Sequence, residues 1–192
     1  MLRFMAARHE QGLILGGDIV GNIAVVYKSK YGTTKQYAQW IAGALDAVLL
    51  EASTVKPSQL TSFDIVVYGG GLYAGGIDGV ELVTKNPCES LVVFTVGLAD
   101  PKTTDYSAIL DKNFTPEMLS KTKVFHLRGG IDYKKLGLIH KGMMGMMRRL
   151  TLKKDKSELT EEDHEFLKTY GSKVNFMDES TIELILAYVR SL

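Results

Sequence analysis

The chain has 192 residues, enough for one domain with a substantial core, and its 45% hydrophobic and 23% charged content is that of an ordinary globular protein. A formal net charge of +1 excludes a surface that is strongly acidic or strongly basic throughout. Cys88 is the one cysteine, which excludes an internal disulfide, there is no Cys/His spacing of a metal site, and no apolar run reaches the roughly 20 residues that cross a bilayer. A reducing, cytoplasmic setting is expected.

Residues 1–21 carry Arg3, Arg8, a short Leu13-Ile14-Leu15 run and Gly16-Gly17. A signal peptide would need a longer apolar core and a small-residue cleavage site, so the segment reads as an N-terminal extension. Ile23-Ala24-Val25-Val26-Tyr27 has the β-branched, unbroken apolar composition of a strand buried on both faces. A short polar loop follows, and then a helical pattern with Tyr37, Ile41, Ala44, Leu45 and Val48 on one face. The hydroxyls of Ser29, Thr33 and Thr34 surround the helix start. There the first backbone N–H groups lack partners and the helix dipole is positive, so a phosphate fits. The same residues also serve as N-caps in helices that bind nothing. Neither Gly-x-x-x-x-Gly-Lys-Ser/Thr nor Gly-x-Gly-x-x-Gly is present, which argues against an ATP or GTP loop and against the dinucleotide fingerprint.

A weaker second strand is expected over 49–52, and Pro57 suits the first turn of a short helix. Asp64-Ile65-Val66-Val67-Tyr68 is a third strand that runs into Gly69-Gly70-Gly71-Leu72-Tyr73-Ala74-Gly75-Gly76. A helix is expected over 77–85, stopped by Asn86-Pro87. Leu91 to Val96 forms a fourth strand that ends in Gly97-Leu98-Ala99, and short helices are expected near 104–110 and 116–120. Lys123 to Leu127 forms a fifth strand, with Gly129-Gly130 after it, and two helices are expected over 161–174 and 181–190.

Five apolar strands alternating with helices indicate a parallel sheet covered on both faces, with ligands beyond the carboxyl ends of its strands. The loops after strands one, three and four converge there. Five glycines in eight residues at 69–76 let backbone approach a flat ring closely, and Tyr73 could stack on that ring. Gly97, Leu98 and Ala99, with Tyr106 a turn later, would supply the other side. The ligand reading of this loop is preferred to a turn with Tyr73 on the surface, because the loop sits at the right strand end, whereas Tyr106 could equally be a packing residue.

Residues 131–156 form an insertion that is both basic and apolar. Ile139, Met143, Met146 or Met147, and Leu150 recur at helical spacing, and Lys134, Lys135, Lys141, Arg148, Arg149, Lys153, Lys154 and Lys156 surround them. Four methionines within five residues suit a surface that accepts a varied apolar partner. The stretch reads as an interfacial helix or a lid over an apolar substrate, with contact at a membrane surface as one expectation. A helix packed on the sheet edge with a solvated basic face would read the same way.

The loop Ser29-x-x-Gly32-x-Thr34 resembles the phosphate loop of flavodoxins, although Tyr31 stands where that family usually has a small hydroxyl residue. The resemblance spans about residues 22–130 and implies an α/β, flavodoxin-like, doubly wound five-stranded parallel sheet of order 2-1-3-4-5, with helices on both faces. It implies FMN as cofactor, held by Ser29, Lys30, Tyr31, Gly32, Thr33 and Thr34 at the phosphate. At the ring it implies Gly71, Leu72, Tyr73, Ala74 and Gly75 on one side and Gly97, Leu98, Ala99 and Tyr106 on the other. Phe125-His126-Leu127-Arg128-Gly129-Gly130, with the tyrosine, lysines and Met-rich basic helix after it, resembles the menaquinone-dependent protoporphyrinogen oxidase group. That resemblance implies oxidation of a haem precursor with a quinone as acceptor. Arg148 and Arg149 would suit the propionates of such a substrate, and His126 and His140 are the histidines available for proton transfer. The alternative is an electron-transfer flavodoxin docking on a protein partner, although such carriers are usually strongly acidic and this chain is not. A flavodoxin fold that binds no FMN is a third reading, and self-association stays open. Nucleic acid has little support, because the basic residues are confined to one apolar stretch without a recognised motif.

Overall fold

The computed structural model describes residues 22–192, so the extension expected over 1–21 lies outside the described residues. The chain runs β1 (Ile23–Lys28), α1 (Thr33–Leu45), β2 (Val48–Glu51), α2 (Pro57–Leu60), β3 (Ile65–Tyr73), β4 (Gly76–Ile77), α3 (Glu81–Thr84) and β5 (Ser90–Gly97). It continues through α4 (Ser107–Asn113), α5 (Pro116–Lys121), β6 (Lys123–Arg128), β7 (Gly130–Asp132), α6 (Leu138–Thr151), α7 (Glu161–Thr169), β8 (Lys173–Asn175) and α8 (Glu183–Val189). The main sheet has the order β2-β1-β3-β5-β6 with every neighbour parallel. That is the 2-1-3-4-5 order expected from the sequence, with β4 added as a two-residue hairpin partner at the end of β3.

Strand alternation explains the layering. Val25, Tyr27, Val67 and Phe94 face α1 and α8, packing on Tyr37, Ile41, Ile185 and Leu186. Their neighbours Ala24, Val26, Val66, Tyr68 and Val93 point the other way, onto Leu60, Val80, Val83 and Phe114. A strand with both faces covered must be apolar at every position, and this is why β1, β3 and β5 read as unbroken runs.

Three elements depart from expectation, each for a local reason. The helix expected over 77–85 begins instead as β4 and shrinks to Glu81–Thr84. The Asp78 N–H donates to Gly71 O at 2.9 Å and Gly79 takes a positive φ of 70°, which folds the chain back along β3 before a helix can start. The helix expected over 161–174 stops at Thr169, because Gly171 at φ 84° turns the chain into β8. There β8 pairs antiparallel with β7, a ribbon whose partners lie more than 40 residues apart. The last helix opens as a 3-10 turn, Glu179–Ile182, capped by the Asp178 side chain. No helix of the described residues is long and apolar enough to cross a membrane.

Candidate functional site

The loops after β1, β3 and β5 meet at the carboxyl edge of the sheet. In the first, Ser29 Oγ accepts from the Gly32 N–H at 3.1 Å, and Gly32, at φ 95°, occupies the N-cap of α1. The first bond of the helix is Gln36 N–H to Gly32 O at 3.0 Å. The N–H groups of Thr33, Thr34 and Lys35 therefore have no partner among the described residues. The cap makes no side-chain hydrogen bond and the first turn holds no acidic residue, so the positive end of α1 is uncompensated. Thr34 is buried beneath this end.

In the second loop, β3 and β4 close a two-residue hairpin at Ala74 and Gly75, with φ of 49° and 73°. Positive φ at both central positions matches the twist of the flanking strands. From α4, the Lys112 ammonium donates to Ala74 O at 2.9 Å. Asn113 Nδ2 donates to Gly75 O at 3.1 Å, while its Oδ1 accepts from the Ile77 N–H at 3.1 Å. A Cβ on Gly70 would come within 2.9 Å of Asp78 O, so only glycine lets the returning strand lie this close. The hairpin thereby presents Tyr73 at a fixed height. Burial, followed by the negative charge of Asp78, pushes the Tyr73 phenol up to about 12.

In the third loop, Gly97 O accepts from the Gly129 N–H at 2.6 Å and Leu98 O from Arg128 Nε at 2.9 Å. Tyr106 is buried and stacks on His126, with ring centroids 3.7 Å apart and planes 5° from parallel. His126 Nδ1 shares a 2.6 Å hydrogen bond with the hydroxyl of buried Thr95.

Burial pushes the His126 imidazole down to about 4, from an ordinary value near 6.5. Unfolding therefore takes up a proton between those pH values, and the stability His126 contributes, complete above about 6.5, is lost as pH falls through about 4. His126→Gln is expected to flatten this part of a Tm-against-pH curve relative to the natural protein, whatever it costs at neutral pH. Parallel curves through that window would contradict the burial of a neutral imidazole.

The insertion closes over these loops. His140, from α6, shares a 2.6 Å hydrogen bond through Nδ1 with the Tyr31 hydroxyl and stacks on Tyr73 at 4.9 Å with 19° between planes. The Gly137 N–H also donates to Tyr31 Oη at 3.4 Å. Tyr31, the departure from the usual small hydroxyl residue, is thus the post on which α6 is anchored. Desolvation, followed by the neighbouring Lys30 charge, pushes the His140 imidazole below its ordinary value. On the far side, α7 latches to the third loop. Glu162 accepts from Thr103 Oγ1 at 3.2 Å and from Thr104 Oγ1, and Glu165 pairs with Arg128. Arg128 also lies 3.8 Å over the ring of Phe176.

Loops and insertion together enclose a cavity of about 570 Å³, within the range of small-molecule sites. Tyr31, Thr33, Gly71, Leu72, Tyr73, Ala74, Gly97, Leu98, Ala99 and Tyr106 all line it. Ser29, Lys30, Gly32, Thr34 and Gly75 do not line it: Lys30 and Gly32 are exposed, Thr34 is buried at the start of α1, and Ser29 and Gly75 belong to the adjoining turns. The opposite wall is Met143, Met144, Met146, Met147, Leu150 and Phe166. Arg148 and Arg149 do not line it; both are exposed, and the Arg148 guanidinium leans over Tyr170 at 5.2 Å. Arg128, Glu162 and Glu165 are the charged residues that do. Sequence reasoning missed them as lining residues, as it missed Lys112 and Asn113, because each acts across a long sequence separation.

Residues 24–158 match the model of a family described as the flavodoxin domain. A search of curated proteins finds no match. Among solved structures, a flavodoxin from the domain Archaea is 16% identical over 56% of this chain and 82% of its own, with a TM-score of 0.40. A WrbA-like flavodoxin protein from Agrobacterium tumefaciens is 14% identical over 89% of this chain and 98% of its own, with a TM-score of 0.43. A flavoprotein in complex with FMN from Lactobacillus acidophilus is 12% identical over 56% of this chain and 92% of its own, with a TM-score of 0.37.

Proposed function

We propose that this chain, which belongs to the flavodoxin-domain family, binds FMN and uses it to exchange electrons with a lipid-soluble ring substrate seated beneath α6. The observation that carries this reading is a cavity whose lining joins the three sheet-edge loops to the methionine wall.

The residues fit the cofactor. The uncompensated N-terminus of α1, with Ser29, Thr33 and Thr34 around it, suits the phosphate. The glycine hairpin and the 97–99 loop leave a slot with backbone on both sides for a flat ring. FMN, when bound, supplies one- or two-electron transfer, and the protein supplies orientation and potential. Tyr73 offers a ring face and a phenol O–H that can donate a hydrogen bond. Met143, Met144 and Met147 keep water from the cavity and adapt to the outline of an apolar ligand. Arg128 is neutralised by Glu165, so no free cation among the lining residues awaits an anion.

The resemblance to the protoporphyrinogen oxidase group makes a porphyrinogen the donor to test, with a quinone as acceptor. The lining supports the quinone end more strongly. A neutral quinone needs no counter-charge, whereas propionates would have to displace Glu165 from Arg128 or reach Arg148 and Arg149 outside the cavity. The test is rapid mixing of the FMN-loaded, reduced protein with a short-chain naphthoquinone or with an electron-accepting protein such as a cytochrome. Fast, saturable reoxidation by the naphthoquinone is expected, with Met144→Gln lowering kcat/KM about tenfold while FMN affinity holds. That loss corresponds to the transfer free energy of about one buried methylene to two. Saturable reaction with the protein acceptor alone would replace this reading with the electron-carrier one.

A further inference from the structure

We propose that the mouth of the cavity docks on an anionic lipid bilayer, so that the apolar substrate enters from the membrane and not from water. This deepens the reading above and depends on it only for the identity of what enters.

The lip of the cavity and its wall are made by the same side chains. Met146, Met147 and Leu150 line the interior, yet Met146 is 62% and Leu150 60% exposed. On α6 they continue a stripe with Ile139, which is 80% exposed, at spacings of seven and eleven residues. Leu138, at the first turn, is 88% exposed. Scattered apolar residues on a surface are ordinary, but a contiguous row at the mouth of an apolar cavity marks a surface that is covered in use.

Charge identifies what covers it. Between residues 134 and 156 stand eight cations and one acid, Asp155, a formal +7 in a chain whose total is +1. The rest of the chain is therefore net −6. Part of that balance stands on α7, where Asp163 pairs with Lys154 and Glu162 and Glu165 line the cavity, so the cations left for an anionic surface include those over 134–149 and Lys153. Lys134, Lys135, Lys141, Arg148, Arg149 and Lys153 are all exposed, before, along and just after the helix that carries the apolar row. An exposed apolar row on a helix whose other positions and flanks carry cations fits the headgroup and acyl boundary of an anionic leaflet. A second copy of this chain fits poorly, since two-fold pairing of this face would bring two +7 segments together. The helix has 14 residues, too short to span, so it lies in the interface plane.

The experiment is co-sedimentation of the FMN-loaded protein with phosphatidylcholine vesicles, with and without phosphatidylglycerol, at low and high salt. Association with the anionic vesicles alone is expected, and salt should weaken it. Lys134→Gln with Lys135→Gln should lower the partition coefficient about 25-fold, taking the usual contribution of a cation at such a surface twice over. Leu138→Ser with Ile139→Ser should weaken it in the same direction at every salt concentration. None of these four residues lines the cavity, so retained FMN and an unchanged circular dichroism spectrum report that each variant is folded. Three results overturn the proposal. One is flavin-loaded protein that ignores anionic vesicles. Another is vesicle binding that neither pair of substitutions alters. The third is a concentration-dependent dimer, broken by Ile139→Ser, in protein that binds no vesicle. Vesicle binding is read from the protein itself, so a failure to retain FMN would count against the cofactor reading alone.

Discussion

Gly32→Asp lowers FMN affinity about a thousandfold, and Gly32→Asn leaves it within about tenfold of the natural protein. Gly32 stands at φ 95° on the N-cap of α1, where no side chain lies within 4 Å of an added Cβ. Asparagine and aspartate are the non-glycine residues that tolerate left-handed backbone best, so the two variants carry similar strain and similar bulk. They differ in charge. Unit charges about 4 Å apart in a partly exposed site repel by about 4 kcal/mol, which is close to three decades in affinity. The aspartate would also cap the helix and occupy the N–H groups that are otherwise open to a phosphate. Thermal melts of the two variants without FMN should agree within a few degrees, with Gly32→Asp the more stable if either is. Equal FMN affinity for both variants would mean that the phosphate lies elsewhere.

Gly69→Ala destabilises the fold by about 3 kcal/mol or more, the upper end of the range for overfilling a close-packed core. Gly69 on β3 pairs in register with Phe94 on β5, whose ring is fully buried. A Cβ on Gly69 would lie 2.1 Å from Phe94 Cζ, with two further ring atoms at 2.6 and 2.7 Å. The ring is packed among Tyr37, Val67 and Ile185 in the α1 and α8 layer and has little room to move. Denaturant unfolding measures the effect as a fall in midpoint at unchanged slope. Phe94→Leu removes the offending ring edge, so the double variant should recover about 1 kcal/mol or more of the sum of the two single losses. Additive losses would show that the ring does not rest on Gly69.

These two glycines illustrate what could be read in advance. Both stand in loops or strand ends that the glycine pattern singled out, and Gly32 was read for the correct reason, a turn into a helix start. Gly69 was read as part of a ring-binding loop, whereas its neighbours place it inside β3, under Phe94. The parallel sheet was legible because a strand covered on both faces leaves an unbroken apolar run. The hairpin at Ala74 and Gly75 was not, since Gly76-Ile77 followed by Glu81, Leu82 and Val83 carries a helical pattern and the reversal depends on one Asp78-to-Gly71 hydrogen bond. The methionine helix was legible from its period. Its anchorage was not, because His140 meets Tyr31 across 109 residues and Glu165 meets Arg128 across 37. No local pattern encodes such pairings; they follow only once the sheet has placed the loops. The odd residue in the loop after β1 was nevertheless visible, and Tyr31 takes its meaning from the helix it holds.

The most direct measurement is the visible absorption spectrum of the purified protein after gel filtration, with FMN added beforehand if the protein is colourless. Flavin bands that elute with the protein near one FMN per chain are the expected result. Protein that emerges without flavin after reconstitution would contradict the cofactor site, and with it the electron transfer proposed at the methionine-walled cavity.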